Sequence, residues 1–310
     1  MKRRDFIRNT ASALAGLSLV GITTAFKEQE IPYRILGKTG LKVSLIGIGG
    51  YHIGDRFTSD ELSVNIIRSA IDMGINFMDN AWCYNDGRSE ELMGKALLDG
   101  YRDKVVLMTK HHGRDPETAK KHLEESLKRF HTDHIDIWQF HEIKTLDEVD
   151  MIYSSGVLDF ALKAKEAGKV RHIGFTGHSN PKVHHAMIDK GFEWETVQMP
   201  LNVLDHHYLS FAKEIIPLLQ KNNIGIIGMK SVASGSIVRE NIASIEECLN
   251  FTMTLPISTL VSGINKHDHL KQNVEIAKNH VPMSQEEIEK LLDKTYDAAQ
   301  GGKYEWYKDK

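Results

Sequence analysis

Short β-branched runs alternating with amphipathic helical segments predict an α/β fold, a closed (β/α)8 TIM barrel with an N-terminal β-hairpin and an added C-terminal helix. Three observations lead there. The runs recur about eight times over roughly 250 residues, the length such a barrel needs. The segments between them place apolar residues at i, i+3 and i+4, so each strand is followed by a helix and the sheet is parallel. An open doubly wound sheet would carry a Gly-x-Gly-x-x-Gly turn after its first strand, and Gly47-Ile48-Gly49-Gly50 does not match that spacing.

The elements follow in order. Residues 33–43 read as a small hairpin turned by residues 37–40, placed to plug the barrel floor. The strand runs are 43–48, 76–79, 105–109, 135–140, 172–175, 197–199, 224–229 and 259–262. Helical spacing marks 62–73, 122–130, 211–219 and 245–253. The unit 145–170 is longer than its neighbours and 234–241 is polar, so both read as functional loops. Ser284, with Glu287 three residues on, caps a further helix through Ile288, Leu291, Leu292 and Tyr296; the tail with Tyr304, Trp306 and Tyr307 then either faces substrate or frays. Residues 31–310 are thus expected to form one barrel domain.

The chain has 310 residues, 41% hydrophobic and 26% charged, which suits one large α/β domain. A net charge of -3, with basic and acidic residues interspersed, leaves no electrostatic footprint for nucleic acid. Two cysteines, Cys83 and Cys248, cannot build a disulfide framework, a four-cysteine zinc site or an iron-sulfur cluster. Redox chemistry must therefore use a borrowed cofactor.

The first residues differ in character. Lys2-Arg3-Arg4-Asp5-Phe6-Ile7, followed by an Ala-, Gly-, Ser- and Leu-rich stretch over 11–25, resembles a twin-arginine export signal. The stretch is too short and too polar for a comfortable membrane span, and no nearby cysteine offers a lipid anchor. The resemblance implies a signal peptide over 1–25, the twin-arginine export machinery as partner, and a periplasmic rather than cytoplasmic location without a stable membrane anchor.

Four ionisable residues, Asp79, Tyr84, Lys110 and His141, sit at or just past strand-like runs, and strand ends of a parallel barrel converge on one face. Hydride delivery to a carbonyl creates an alkoxide that needs a proton, and a tyrosine with a pKa of about 10 is a reluctant donor. A nearby ammonium would lower that pKa, and a carboxylate would hold the ammonium in place. A neighbouring histidine can donate a hydrogen bond to the carbonyl oxygen.

The stretch Gly74-Ile75-Asn76-Phe77-Met78-Asp79-Asn80-Ala81, then Tyr84, Gly87, Ser89-Glu90 and Met93-Gly94, is similar to the second-strand signature of the aldo-keto reductases. Thr109-Lys110 and Gln139-Phe140-His141 complete it, the opening residues 33–50 are also family-like, and the resemblance covers nearly everything from residue 31 to about 280. It implies an NAD(P)H-dependent oxidoreductase in which Tyr84 is the general acid, Lys110 and Asp79 activate it, and His141 orients the carbonyl. It further implies cofactor contacts from Gly49, Gly50 and Tyr51, from Asp79 beside the nicotinamide ribose, and from Gln198 on the carboxamide. Where the family often has Ser-Asn, this chain has Thr176-Gly177; its usual stacking aromatic corresponds to Met229, followed by Lys230; its phosphate-gripping basic residues correspond to Gly263 and His269, near Asn273. NADP(H) and NAD(H) both remain open as cofactor, and Lys266 with the backbone donors of the last barrel helix can still hold a phosphate.

The sixteen histidines include adjacent pairs, whose side chains diverge, and no carboxylate completes a ligand set, so no metal site is expected. His111, His112, Trp82 and Tyr51 are candidates for pocket lining. The expected partner is a small carbonyl or alcohol substrate, sugar-derived in an exported setting. The competing readings are a TIM-barrel sugar isomerase or metal-dependent hydrolase, and a catalytically weak cofactor-binding regulatory protein.

Overall fold

A computed structural model describes residues 30–309, and the expected signal segment 1–25 lies outside the described residues. The chain opens with an antiparallel hairpin, β1 (Tyr33–Ile35) and β2 (Lys42–Ser44), in the register Arg34 to Val43. Eight strands then close a barrel: β3 (Ile46–Gly49), β4 (Phe77–Asp79), β5 (Val106–His111), β6 (Ile135–Phe140), β7 (Val170–Thr176), β8 (Thr196–Pro200), β9 (Gly225–Met229) and β10 (Thr259–Gly263). They follow one another around the ring, β10 pairs with β3, and every pairing is parallel. Both the barrel and the hairpin match the expectation. Among the described residues no helix is long and apolar enough to cross a membrane.

The two-residue period of a strand decides which side chains fill the barrel. Phe77, Val106, Met108, Ile137, Ile227 and Val261 form an inner core with Leu36 and Val43 of the hairpin. Their neighbours Met78, Leu107, Trp138, Phe140 and Ile226 pack outward against the helices. Continued toward the C-terminal strand ends, the inward series delivers Asp79, Lys110, His141 and Gln198 to one mouth.

The hairpin seals the opposite end. Lys38 donates its backbone N–H to Asn223 at 2.8 Å, and Gly37, at φ +49°, lies so close to the Gly225 backbone that no Cβ fits between them. Arg34 ties the hairpin to the carbonyls of Met253 (2.9 Å) and Ile257 (2.7 Å).

Several boundaries differ from the sequence reading. The run 43–48 breaks at Leu45, where hairpin strand passes into barrel strand. The segment 211–219 splits into Phe211–Glu214 and Ile216–Lys221, because Pro217 has no N–H for the carbonyl four residues back. The helix expected from 122 starts at Pro116, with the Asp115 side chain accepting from Thr118. The long unit 145–170 holds two helices, Leu146–Ser154 and Val157–Glu166, hinged at Gly156 with φ +84°.

The added helix Gln285–Ala299 begins with the expected Ser284–Glu287 capping box, and the tail beyond it is docked rather than frayed. Lys308 bonds Asp205 (2.7 Å), Glu305 (3.1 Å) and the Tyr208 carbonyl (2.7 Å), with all three charged side chains buried. Asn202 donates to Glu305 (3.0 Å) and to the Tyr307 hydroxyl (3.1 Å), and the Tyr307 ring stacks on His178 at 5.7 Å. The tail therefore lies across the loops that follow β7, β8 and β9.

One half-buried ionic cluster at the N-terminal end of the barrel makes stability pH-dependent. Burial alone would raise the Glu195 carboxyl, but hydrogen bonds from His172 (2.6 Å), Lys165 (2.6 Å) and the Ile173 N–H (3.0 Å) outweigh it and hold the pKa at about 2. A depressed folded-state value means this stability is fully present above the unfolded carboxylate pKa and is lost as pH falls toward 2. Urea midpoints measured from pH 5 to 2.5 are expected to fall less steeply in Glu195→Gln than in the parent; equal slopes would refute the assignment.

Candidate active site

Asp79 closes β4, Lys110 stands one residue from the end of β5, and His141 follows β6 directly, so the four expected residues meet once the turn after β4 brings Tyr84 back over them. That turn passes through left-handed backbone at Asn85 (φ +51°) and Asp86 (φ +58°), residue types that tolerate it. Buried Glu90 anchors it from below, accepting from Thr109 (2.6 Å), Ser126 (2.8 Å) and Arg129 (3.0 Å), while Arg129 also holds the Trp82 carbonyl.

Lys110 is the centre of the arrangement. Its ammonium is buried and donates to Asp79 Oδ1 (2.5 Å), the Asn80 carbonyl (2.6 Å) and the Tyr84 hydroxyl (3.5 Å), which uses all three protons. The phenol oxygen thus accepts from lysine and keeps its own proton for a ligand. Gln198 Nε2 also donates to Asp79 Oδ1, at 3.2 Å. The Tyr84 ring meets Tyr51 edge-on at 5.4 Å and His141 edge-on at 5.6 Å.

Burial sets the protonation states. It pushes Tyr84 well above the usual phenol value, and the Asp79 charge pushes the same way. This reverses the lowering expected from Lys110, whose charge is already matched by Asp79. Burial raises Asp79 itself, against the pull of Lys110. It also drives His141 well below 6.5, followed by repulsion from Lys110, so the imidazole is neutral with one N–H to donate. Nδ1 of His141 faces Cys83 Sγ at 3.6 Å, and among the described residues no group bonds its Nε2.

The other expected site residues divide. Gln198 is buried with Oε1 unpartnered, and Thr176 sits beside it in register, so this corner offers an acceptor to a ligand's N–H. Gly49 and Gly50 are needed for close packing: a Cβ on Gly50 would meet Asn80 at 2.7 Å, and one on Gly49 would meet the Ser262 carbonyl at 3.1 Å. Tyr51 stands exposed at the mouth. Met229 ends β9, and Lys230 after it, at φ +57°, lies 4.8 Å from the Tyr307 ring and 5.4 Å from Trp306. The tail therefore supplies aromatic rings where the strand end has none.

His269 is exposed on the last barrel helix, His267–Lys278, whose N-cap Lys266 provides no side-chain cap. Asn273 instead turns inward and donates to Ser262 at 2.9 Å. His111 leaves the pocket: it alternates with Lys110 on β5, stacks on Trp138 at 3.8 Å and is wholly buried. Trp82 likewise turns to the helix Pro116–Phe130, stacking on His122 at 3.6 Å and donating to Glu125 at 2.6 Å.

Sequence reasoning missed two residues. His52 covers Gly263, and its imidazole feels Lys230 and His269. Cys83 meets His112 Nε2 at 3.2 Å as well as His141. Neither spacing is local, so only the closed barrel brings them together.

Residues 45–252 match the profile of the Aldo/keto reductase family. The L-galactose dehydrogenase of Arabidopsis thaliana is 30% identical over 229 residues, covering 68% of this chain and 68% of that protein. Among solved structures, the holo form of an aldo-keto reductase from Bacillus halodurans superimposes with a TM-score of 0.73 at 24% identity, covering 84% of this chain and 96% of that one. An aldo/keto reductase from Klebsiella pneumoniae in complex with NADP and acetate gives a TM-score of 0.69 at 21% identity, covering 87% and 95%.

Proposed function

We infer the reaction from one premise: the chain belongs to the aldo/keto reductase family and is an NAD(P)-dependent oxidoreductase that interconverts a carbonyl compound and its alcohol. The observation that carries the assignment of roles is the Lys110 ammonium shared between Asp79 and Tyr84.

A bound nicotinamide supplies or accepts the hydride. Tyr84 then protonates the alkoxide, a far stronger base than phenolate, so a raised phenol pKa keeps the acid loaded without blocking transfer. Lys110 stabilises the phenolate left behind, and Asp79 holds Lys110 in place. Neutral His141 donates from Nε2 to the carbonyl oxygen. The unpartnered Oε1 of Gln198 suits the N–H of a carboxamide, with Thr176 beside it, and this fit supports nicotinamide as the group held there.

The phosphate end draws on His269, Lys266 and the start of the helix His267–Lys278 in place of arginines. Without a bidentate guanidinium, discrimination between NADPH and NADH is expected to stay within about tenfold. Fluorescence titration of the EDTA-treated protein with both cofactors, followed by turnover on aldehydes, ketones and keto-sugars, tests the whole reading. No nicotinamide binding, or activity that EDTA abolishes, would reject it for a metal-dependent enzyme on the same barrel.

For location, the Arg3-Arg4 segment supports export through the twin-arginine route, which carries folded proteins, to the periplasm. Nicotinamide cofactors are made and recycled in the cytoplasm. The enzyme therefore loads its cofactor before export and retains it. Protein isolated from periplasm under native conditions should contain nicotinamide, and empty protein would end the retention idea.

A further inference from the structure

We propose that Cys83, His112 and His141 form a binding site for a thiolate-seeking divalent cation of the zinc class, at the edge of the catalytic pocket. The three ligand atoms, Sγ, Nε2 and Nδ1, lie within 4.8 Å of one another. They come from three places, the turn after β4 and the loops after β5 and β6, so the barrel rather than local sequence assembles them.

The distances fit the ion. Tetrahedral coordination with a Zn–S bond of about 2.3 Å and Zn–N bonds of about 2.05 Å places sulfur and nitrogen about 3.5 Å apart. Here the two separations are 3.2 Å to His112 and 3.6 Å to His141. The two nitrogens, within 4.8 Å of each other, would close to about 3.3 Å on binding. Neutral thiol–imidazole contacts are weak hydrogen bonds, and a single S–H proton can serve only one of the two rings. A cation would replace both contacts with coordinate bonds, binding as the thiol loses its proton to solvent with no change of oxidation state.

Surroundings favour access and order. Cys83 and His112 are half-buried, which leaves a path from solvent, while His141 is buried and fixed by its N–H on the His111 carbonyl (2.8 Å) and by Arg114 on its own carbonyl (2.7 Å). Three positive charges lie near, and each has a carboxylate: Asp79 pairs Lys110 at 2.5 Å, Glu148 stands 3.7 Å from Arg114, and Glu142 stands 3.1 Å from Lys144. Three protein ligands leave a fourth corner for water or a small ligand, the pattern of an open zinc site rather than a closed structural one. Coordination through Nδ1 also leaves the His141 proton on Nε2, the nitrogen that no described protein group engages.

Cobalt titration of EDTA-treated, fully reduced protein tests the site with no reference to turnover, so the result stands apart from the reductase reading. One equivalent of Co2+ should produce near-ultraviolet sulfur-to-cobalt charge transfer with the visible bands of tetrahedral cobalt, and Zn2+ should displace both. Cys83→Ser should abolish the charge-transfer band, and His112→Ala should weaken binding by at least ~10-fold. Circular dichroism of both variants separates lost ligation from lost folding. Cobalt binding without the sulfur band, or a band that survives in folded Cys83→Ser, would overturn the proposal.

Discussion

Tyr84→Phe is expected to lower turnover by ~10²-fold or more while leaving nicotinamide affinity nearly unchanged. Phenylalanine keeps the ring that packs against Tyr51 and His141, so the pocket walls stay in place. What disappears is the hydroxyl that Lys110 reaches. The protonation states add a pH test. Because the Tyr84 pKa is raised well above 10 and the proton-loaded form is the one that works in reduction, Tyr84 should cause no fall in the reductive rate from pH 7 to 9. Rates at saturating substrate, with cofactor affinity from fluorescence titration, measure both effects. An unchanged rate in the variant would remove Tyr84 as the acid.

Lys308→Met should cost about 3–5 kcal/mol of stability, the usual penalty for removing one partner from a buried ion pair. The ammonium stands between Asp205 and Glu305, both buried, and without it two carboxylates face each other away from water. Burial already raises the Glu305 carboxyl even with Lys308 present. The same substitution should free the tail that sets Trp306 and Tyr307 beside Lys230. Urea unfolding of Lys308→Met beside the triple variant Lys308→Met, Asp205→Asn, Glu305→Gln measures it, since removing the stranded charges should recover part of the loss. A cost under about 1 kcal/mol would show that the tail is held by other contacts.

Much of this molecule was legible because strands and helices write their period into the sequence. The eight runs gave the barrel, and the hairpin followed from two glycines around a turn. Asp79, Lys110 and His141 were readable as strand ends, and their convergence is a property of any closed parallel barrel. The same period could have placed His111 correctly: it neighbours inward-facing Lys110 on β5, so it had to point outward, against Trp138. The direction of the Tyr84 shift was not legible, since it depends on burial and on Asp79 cancelling Lys110. Nor were the tail clasp, with Asp205 and Lys308 a sequence separation of 103 apart, or the approach of Cys83 to His112 and His141. Such contacts have no local spacing, and only the folded chain creates them.

Gln198, Asp79, Lys110 and Tyr84 form one unbroken line of polar contacts, at 3.2, 2.5 and 3.5 Å. A ligand that draws on the Gln198 amide therefore reaches the phenol through two shared partners. Thermodynamic linkage makes that influence mutual: whatever factor occupancy of the Gln198 corner applies to the proton affinity of Tyr84, the loss of that proton applies to the ligand's affinity. The proposed acid at the mouth thus reports on whether the corner behind it is filled, and ligand binding and the Tyr84 proton are two readings of one equilibrium.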